Sequence, residues 1–138
     1  MILTSLNRYH DLGILLIRVG LGLLFFLHGW PKLMAGPQRW AGLATGVGLT
    51  VAPAFWGFMA AIAETLGGVL LGAGFLFRVA AFLLLCDMAG ALSFHLHHGD
   101  AFVGYSRPIE MMIVFAALFL TGPGRYSVDE SALKTTIM

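Results

Sequence analysis

The chain has 138 residues, 59% apolar and only 11% charged, with a formal net charge of +1. A water-soluble domain carries about 25% charged residues, so a soluble globular fold is excluded, and a near-neutral chain without a basic patch is no nucleic-acid binder. The single cysteine, Cys86, excludes an intrachain disulfide, a C-x-x-C redox pair and a four-cysteine metal or iron–sulfur centre within one chain.

Met1–Asp11 is a short polar head with Arg8, His10 and Asp11. The apolar stretch Leu12–Met34 follows, too long for a signal-peptide core, and is expected as a retained first transmembrane helix. Lipid forces every backbone amide to find a partner within a helix or a closed barrel. Barrel strands alternate polar and apolar residues, whereas Ile14–Ile17 and Ala80–Cys86 are continuously apolar, so the spans are helices. The first ends in His28-Gly29-Trp30-Pro31-Lys32-Leu33, where a Trp suits the membrane interface. Gly36–Thr50 is rich in glycine yet contains Trp40 and Leu43, and predicts a short interfacial or re-entrant helix.

A second helix, over about 53–76, opens at Pro53, a residue suited to the first helical turn. It carries Glu64, and Gly68 and Gly72 form a G-x-x-x-G spacing that lets two helices approach closely. A second copy of the chain packed on this face is the expected homodimer contact. The tight turn Gly72–Arg78 makes the second and third helices antiparallel neighbours. The third, about 78–98, holds Cys86, expected as a small buried core residue, then Asp87. It closes with Ser93-Phe94-His95-Leu96-His97-His98-Gly99-Asp100. The fourth, about 108–122, opens at Pro108 and stops at Gly122-Pro123-Gly124. A polar tail, Arg125–Met138, follows.

The reading is one all-α transmembrane domain over residues 1–138: a four-helix bundle with short loops, an interfacial helix between the first two spans, and the lipid bilayer as its partner. An even span number puts both termini on one side. Arg8, Arg78, Arg125 and Lys134 there, against Lys32, Arg39 and Arg107 opposite, favour cytoplasmic termini.

Antiparallel helices convert sequence position into depth. His28, Lys32, His95, His97, His98 and Glu110 fall towards the face opposite the termini. Glu64 and Asp87 lie about 16 Å and 13 Å into their helices by helical rise, near the midplane, and Arg18 about 9 Å from the termini side. Charges at such depths usually face the bundle interior and mark function. The simplest pairing joins Arg18 to Glu64 or Asp87. Two carboxylates against one guanidinium leave a negative charge that needs a proton, a metal or a further donor. His28 and Lys32, four apart, share a helical face. Three readings stay open: an ion-pair network that fixes helix register; a ligand site such as a quinone head group in an apolar cleft; or a metal or proton pathway using His28, Glu64, His95 and Glu110.

Arg18-Val-Gly-Leu-Gly-Leu-Leu-Phe25 and His28-Gly-Trp-Pro-Lys32 resemble the first helix of DoxX-type membrane proteins. Glu64-x-x-Gly67-Gly68, the Gly74–Ala81 turn, His95 and Gly122-Pro-Gly-Arg-Tyr126-Ser-x-Asp129 continue the likeness over roughly Leu12–Asp129. The resemblance implies a four-helix bacterial inner-membrane protein linked to oxidoreductase systems in sulfur or oxidative-stress chemistry, with soluble redox partners. The matched positions are Arg18, His28, Lys32, Glu64, Arg78, His95 and Glu110; for Asp87 the resemblance implies no expectation. The functional expectation is a subunit that passes electrons to or from a quinone. Glu64 and His28 would hold the head group or relay protons, Arg18 would set the charge of Glu64, and His95 and Glu110 would line the entrance. A metal on His28, Glu64 and His95 is the cofactor alternative to a quinone. A proton-coupled transporter and a structural anchor for soluble partners are the alternatives in function.

Overall fold

A computed structural model describes residues 4–137. After a 3-10 turn over Thr4–Tyr9 come α1 (His10–Met34), α2 (Pro37–Gly46), α3 (Pro53–Ala73), α4 (Phe77–His97), α5 (Phe102–Thr121) and α6 (Val128–Ile137), with no strand among the described residues. Four helices, α1, α3, α4 and α5, are long and apolar enough to cross a membrane. Their outward faces expose large apolar side chains such as Leu16, Leu23, Val79, Ile113 and Leu120, as lipid-facing surfaces do. The short helix expected between the first two spans is α2.

Three bounds differ from the sequence reading. The second span stops at Ala73 because Gly74, at φ 67°, closes it: Gly74 N–H donates to Leu71 O and Phe75 N–H to Leu70 O. The fourth starts at Phe102, with Pro108 buried inside it rather than at its head. The polar tail holds a helix, α6. Ser127 Oγ accepts from Glu130 N–H at 3.2 Å and so satisfies one of its free first-turn donors.

Helices in lipid gain little from burying apolar surface on one another, so they associate where backbones come close. Here α3 is the central helix, and its small residues do this on three sides. Towards α1, a Cβ on Gly22 would lie 2.5 Å from Gly68 O, and one on Gly29 2.5 Å from Thr65 Oγ1. The G-x-x-x-G face expected to receive a second copy is therefore occupied by α1 of the same chain. Towards α2, Gly57 meets the Trp40 carbonyl, and the Trp40 and Phe58 rings lie 4.7 Å apart. Towards α4, a Cβ on Gly67 would stand 3.2 Å from Leu84 Cγ. Trp40 Nε1 donates to Lys32 O at 2.9 Å, a carbonyl that also accepts from Ala35 N–H at the end of α1, and so ties α2 to α1.

The packed core lies at the end of the bundle that holds the termini. Leu71, Phe77, Ala80, Ala81, Leu84 and Phe115 are fully buried there, with Phe25 and Phe115 edge to face at 5.0 Å. The segment after α5 clasps this end. Arg18, 3% exposed, donates from Nη1 to Pro123 O at 3.1 Å and from Nη2 to Tyr126 O. Arg125 N–H donates to Asp11 Oδ1 at 3.2 Å. The Asp129 carboxylate accepts from Leu76 N–H and Phe77 N–H, both at 2.9 Å, while its own N–H donates to Gly74 O. Leu76 sits in the left-handed region at φ 46°, a costly conformation for a branched residue. The Asp129 bonds hold it there and cap the first turn of α4.

Two stability predictions follow from these contacts. Gly22→Ala overpacks the α1–α3 seam and costs about 1–3 kcal/mol, seen as a lower thermal midpoint in detergent, whereas Gly20→Ala, with nothing within 4 Å, does not lower it. Arg18→Lys removes the planar fork that serves two carbonyls at once. It lowers the midpoint and exposes the segment after α5 to protease.

Candidate functional site

Where the end of the bundle near the termini is packed, the other half is open. A cavity of about 830 Å³ lies between α2, α3 and α4. The first half of α4 buries Phe77, Ala80, Ala81 and Leu84, and the second half turns Asp87, Ala91 and His95, at four-residue steps, onto the cavity. From α3 come Trp56, Ala60, Ala63 and Glu64, from α2 Leu43 and Ala44, and from the residue after α2 Val47. α1 contributes Lys32 alone. Ala60, Ala63, Gly90 and Ala91 are too small to fill the gap between the helices, which keeps it open.

Few polar groups meet this apolar wall. Lys32 Nζ donates to Glu64 Oε2 at 2.5 Å, with Glu64 4% exposed. The seam sets this pair: Gly29 against Thr65 fixes the register of α1 on α3 and places Lys32 about one turn further along, opposite Glu64. Asp87 lies within electrostatic reach of both Glu64 and Lys32, and among the described residues it makes no hydrogen bond or ion pair. Two carboxylates thus share one ammonium. His95 also lines the cavity and bonds through Nδ1 to Asp100 Oδ2 at 2.6 Å. The Cys86 thiol is exposed and borders the same space, not the core position expected for it.

Four of the residues singled out in the sequence, Lys32, Glu64, Asp87 and His95, are therefore brought to one cavity. Three are not. Arg18, expected to pair with Glu64 or Asp87, is committed to the clasp, and Lys32 takes the place assigned to it. His28 is exposed, its Nδ1 on the Leu24 carbonyl at 2.8 Å. It shares a side of α1 with Lys32, but only the longer lysine chain reaches round to Glu64. Glu110 is exposed on α5, a helix that contributes nothing to the cavity wall. His97 and His98 bond through Nδ1 to the carbonyls of Ser93 and Phe94 in their own helix. Among the described residues no three His, Cys, Asp or Glu side chains converge as metal ligands, so the set His28, Glu64 and His95 is not assembled.

Sequence reasoning missed Asp100. The available signal was Gly99, a helix-ending glycine directly before an acid, which returns residue 100 to residue 95. It also missed α2 as a wall of the cavity. Chemically, the site suits a molecule with a polar head and an apolar body: Lys32 and His95 supply nitrogen groups, Asp87 an acceptor without a partner, and the remaining lining is apolar.

The DoxX family model matches residues 13–98, the stretch that includes nearly all of α1 to α4 and all four of these cavity residues. The inner membrane protein YqjF of Escherichia coli is 30% identical over 90% of this chain and 95% of its own length. A membrane protein of Mycobacterium tuberculosis is 29% identical over 88% of this chain and 82% of its own. The Bacillus subtilis protein named "Putative oxidoreductase CatD" is 34% identical over 63% of this chain and 62% of its own. No solved structure gives a significant match. The chain is a membrane protein and belongs to the DoxX family.

Proposed function

We propose that this protein is an inner-membrane subunit of a quinone-linked oxidoreductase system, with its termini in the cytoplasm, and that the cavity between α2, α3 and α4 receives the quinone head group. The observation that carries this reading is the coincidence of an apolar cavity of about 830 Å³ with the Lys32–Glu64 pair and the unpartnered Asp87. A quinone presents two carbonyl oxygens on an apolar ring, and Lys32 is a donor at the edge of an otherwise apolar space. The oxidoreductase name of the Bacillus subtilis relative points the same way. With Cys86 as its single thiol, the chain needs a soluble partner for any dithiol or sulfur step.

The unpaired carboxylate also favours a second reading, proton-coupled transport, in which Asp87 carries the proton and the cavity takes a transported solute. The two readings part on whether a quinone binds.

Titration of the full chain in nanodiscs with decylubiquinone, followed by quenching of tryptophan fluorescence, separates them, since Trp56 lines the cavity. Saturable binding is expected, weakened at least about tenfold, or about 1.4 kcal/mol, by Glu64→Gln and by Lys32→Met. His28→Ala leaves it unchanged. Absence of saturable binding, or binding indifferent to both cavity variants, rejects the quinone reading and leaves transport as the reading to pursue.

A further inference from the structure

The end of α4 builds a side-chain pair that the proposed function does not yet use. The helix closes in a two-bond glycine motif: Gly99 N–H donates to Leu96 O at 3.2 Å and Asp100 N–H to His95 O at 3.1 Å, with Gly99 at φ 68°. This motif brings the residue after the glycine back over the residue five before it, and an apolar contact usually fills that place. Here the two positions are Asp100 and His95, and the contact is a 2.6 Å hydrogen bond from Nδ1 to Oδ2. The first turn of α5 covers the pair. A Cβ on Gly104 would stand 3.2 Å from Asp100 Cβ and 3.6 Å from His95 Nδ1, so the glycine leaves the room that the pair occupies. The pair is thus fixed from both sides by backbone.

A carboxylate on one ring nitrogen of a histidine decides what the other nitrogen does. With Asp100 accepting at Nδ1, the neutral imidazole carries its proton there and Nε2 is left as a hydrogen-bond acceptor. Among the described residues Nε2 has no partner, and His95 lines the cavity. Lys32, by contrast, can only donate. The cavity therefore offers a donor at one place and a histidine acceptor at another.

We infer that His95 accepts a hydrogen bond from a hydroxyl of the cavity ligand, that Asp100 is its positioning residue, and that the site consequently favours a hydroxyl-bearing, reduced head group of the hydroquinone class over its oxidised form. The inference rests on the quinone reading above and adds the redox form that is held. It involves no bond-breaking: the ligand hydroxyl donates, Nε2 accepts, and Asp100 keeps the Nδ1 proton.

The test compares decylubiquinol with decylubiquinone on the full chain in nanodiscs, for the wild type, Asp100→Asn, Asp100→Glu and His95→Phe. Asp100→Asn is isosteric at a side chain 42% exposed. The expected result is that Asp100→Asn and His95→Phe each weaken the quinol at least fivefold and the quinone less than twofold, with Asp100→Glu keeping most of the selectivity. A capping role alone would alter the thermal midpoint and leave the ratio of the two affinities fixed. If both variants leave that ratio unchanged while the quinone still binds, the His95–Asp100 inference is overturned and the quinone reading stands. If neither probe binds the wild type, both fall.

Discussion

Everything in this fold depends on how closely α1 lies on α3. Two helices in a bilayer have no water to escape, so their association rests on dispersion and short backbone contacts, and glycine permits both. Gly22 against Gly68 and Gly72, and Gly29 against Thr65, allow one way of stacking the two helices. That register puts Lys32 opposite Glu64. Because α1 takes one side of α3, the opposite sides are left to α2 and α4, which meet at Gly46 against the Phe94 ring and leave the space around Ala60, Ala63 and Ala91 unfilled. The cavity is thus a consequence of the seam on the other side of the central helix.

The molecule is divided along its length into a part that holds and a part that is open. Large buried side chains, the Arg18 fork and the Asp129 cap all lie at the end that holds the termini. Arg18 is a buried cation whose hydrogen-bond partners are carbonyl oxygens. Removing it would strand two acceptors, and a buried polar group without a partner is expensive. The strained Leu76 and the tight α3–α4 turn are held by the same segment. With one end fixed in this way, the opposite end can carry small residues and unbalanced charge without the bundle losing its arrangement.

The membrane class and the four spans were legible because composition and continuous apolar runs answer directly to lipid. The role of Arg18 was not. A sequence gives the depth of a charge but not the direction of its side chain, and the partner came from a C-terminal turn more than 100 residues away. Helix α6 was legible in principle: Ser127-Val-Asp-Glu130 is a capping-box pattern, hidden by the polar character of the segment. The start of α5 was obscured by Pro108, which reads as a first-turn residue but is accommodated inside the helix. Lys32, Glu64, Asp87 and His95 were legible as residues out of place in lipid. That α2 would supply a wall and Asp100 would return to His95 depended on glycine-directed turns, whose geometry a list of residue types does not carry.

Two departures from the rules of stable packing coincide in the open half. The Lys32–Glu64 pair, with Glu64 buried and Lys32 38% exposed, contributes little that well-packed apolar residues of similar volume would not. Asp87 adds a second carboxylate with no cation of its own, which opposes folding. Independently, alanine and glycine stand where larger side chains would close the space. Either feature alone has a structural explanation, the pair in fixing register and the small residues in admitting backbone. Together they do not, because a seam that already fixes register lies on another face of the same helix, and the gap admits no backbone. Local violations of foldability that converge on one place are expected at functional sites, and here the place is bounded by the helices that the family match includes.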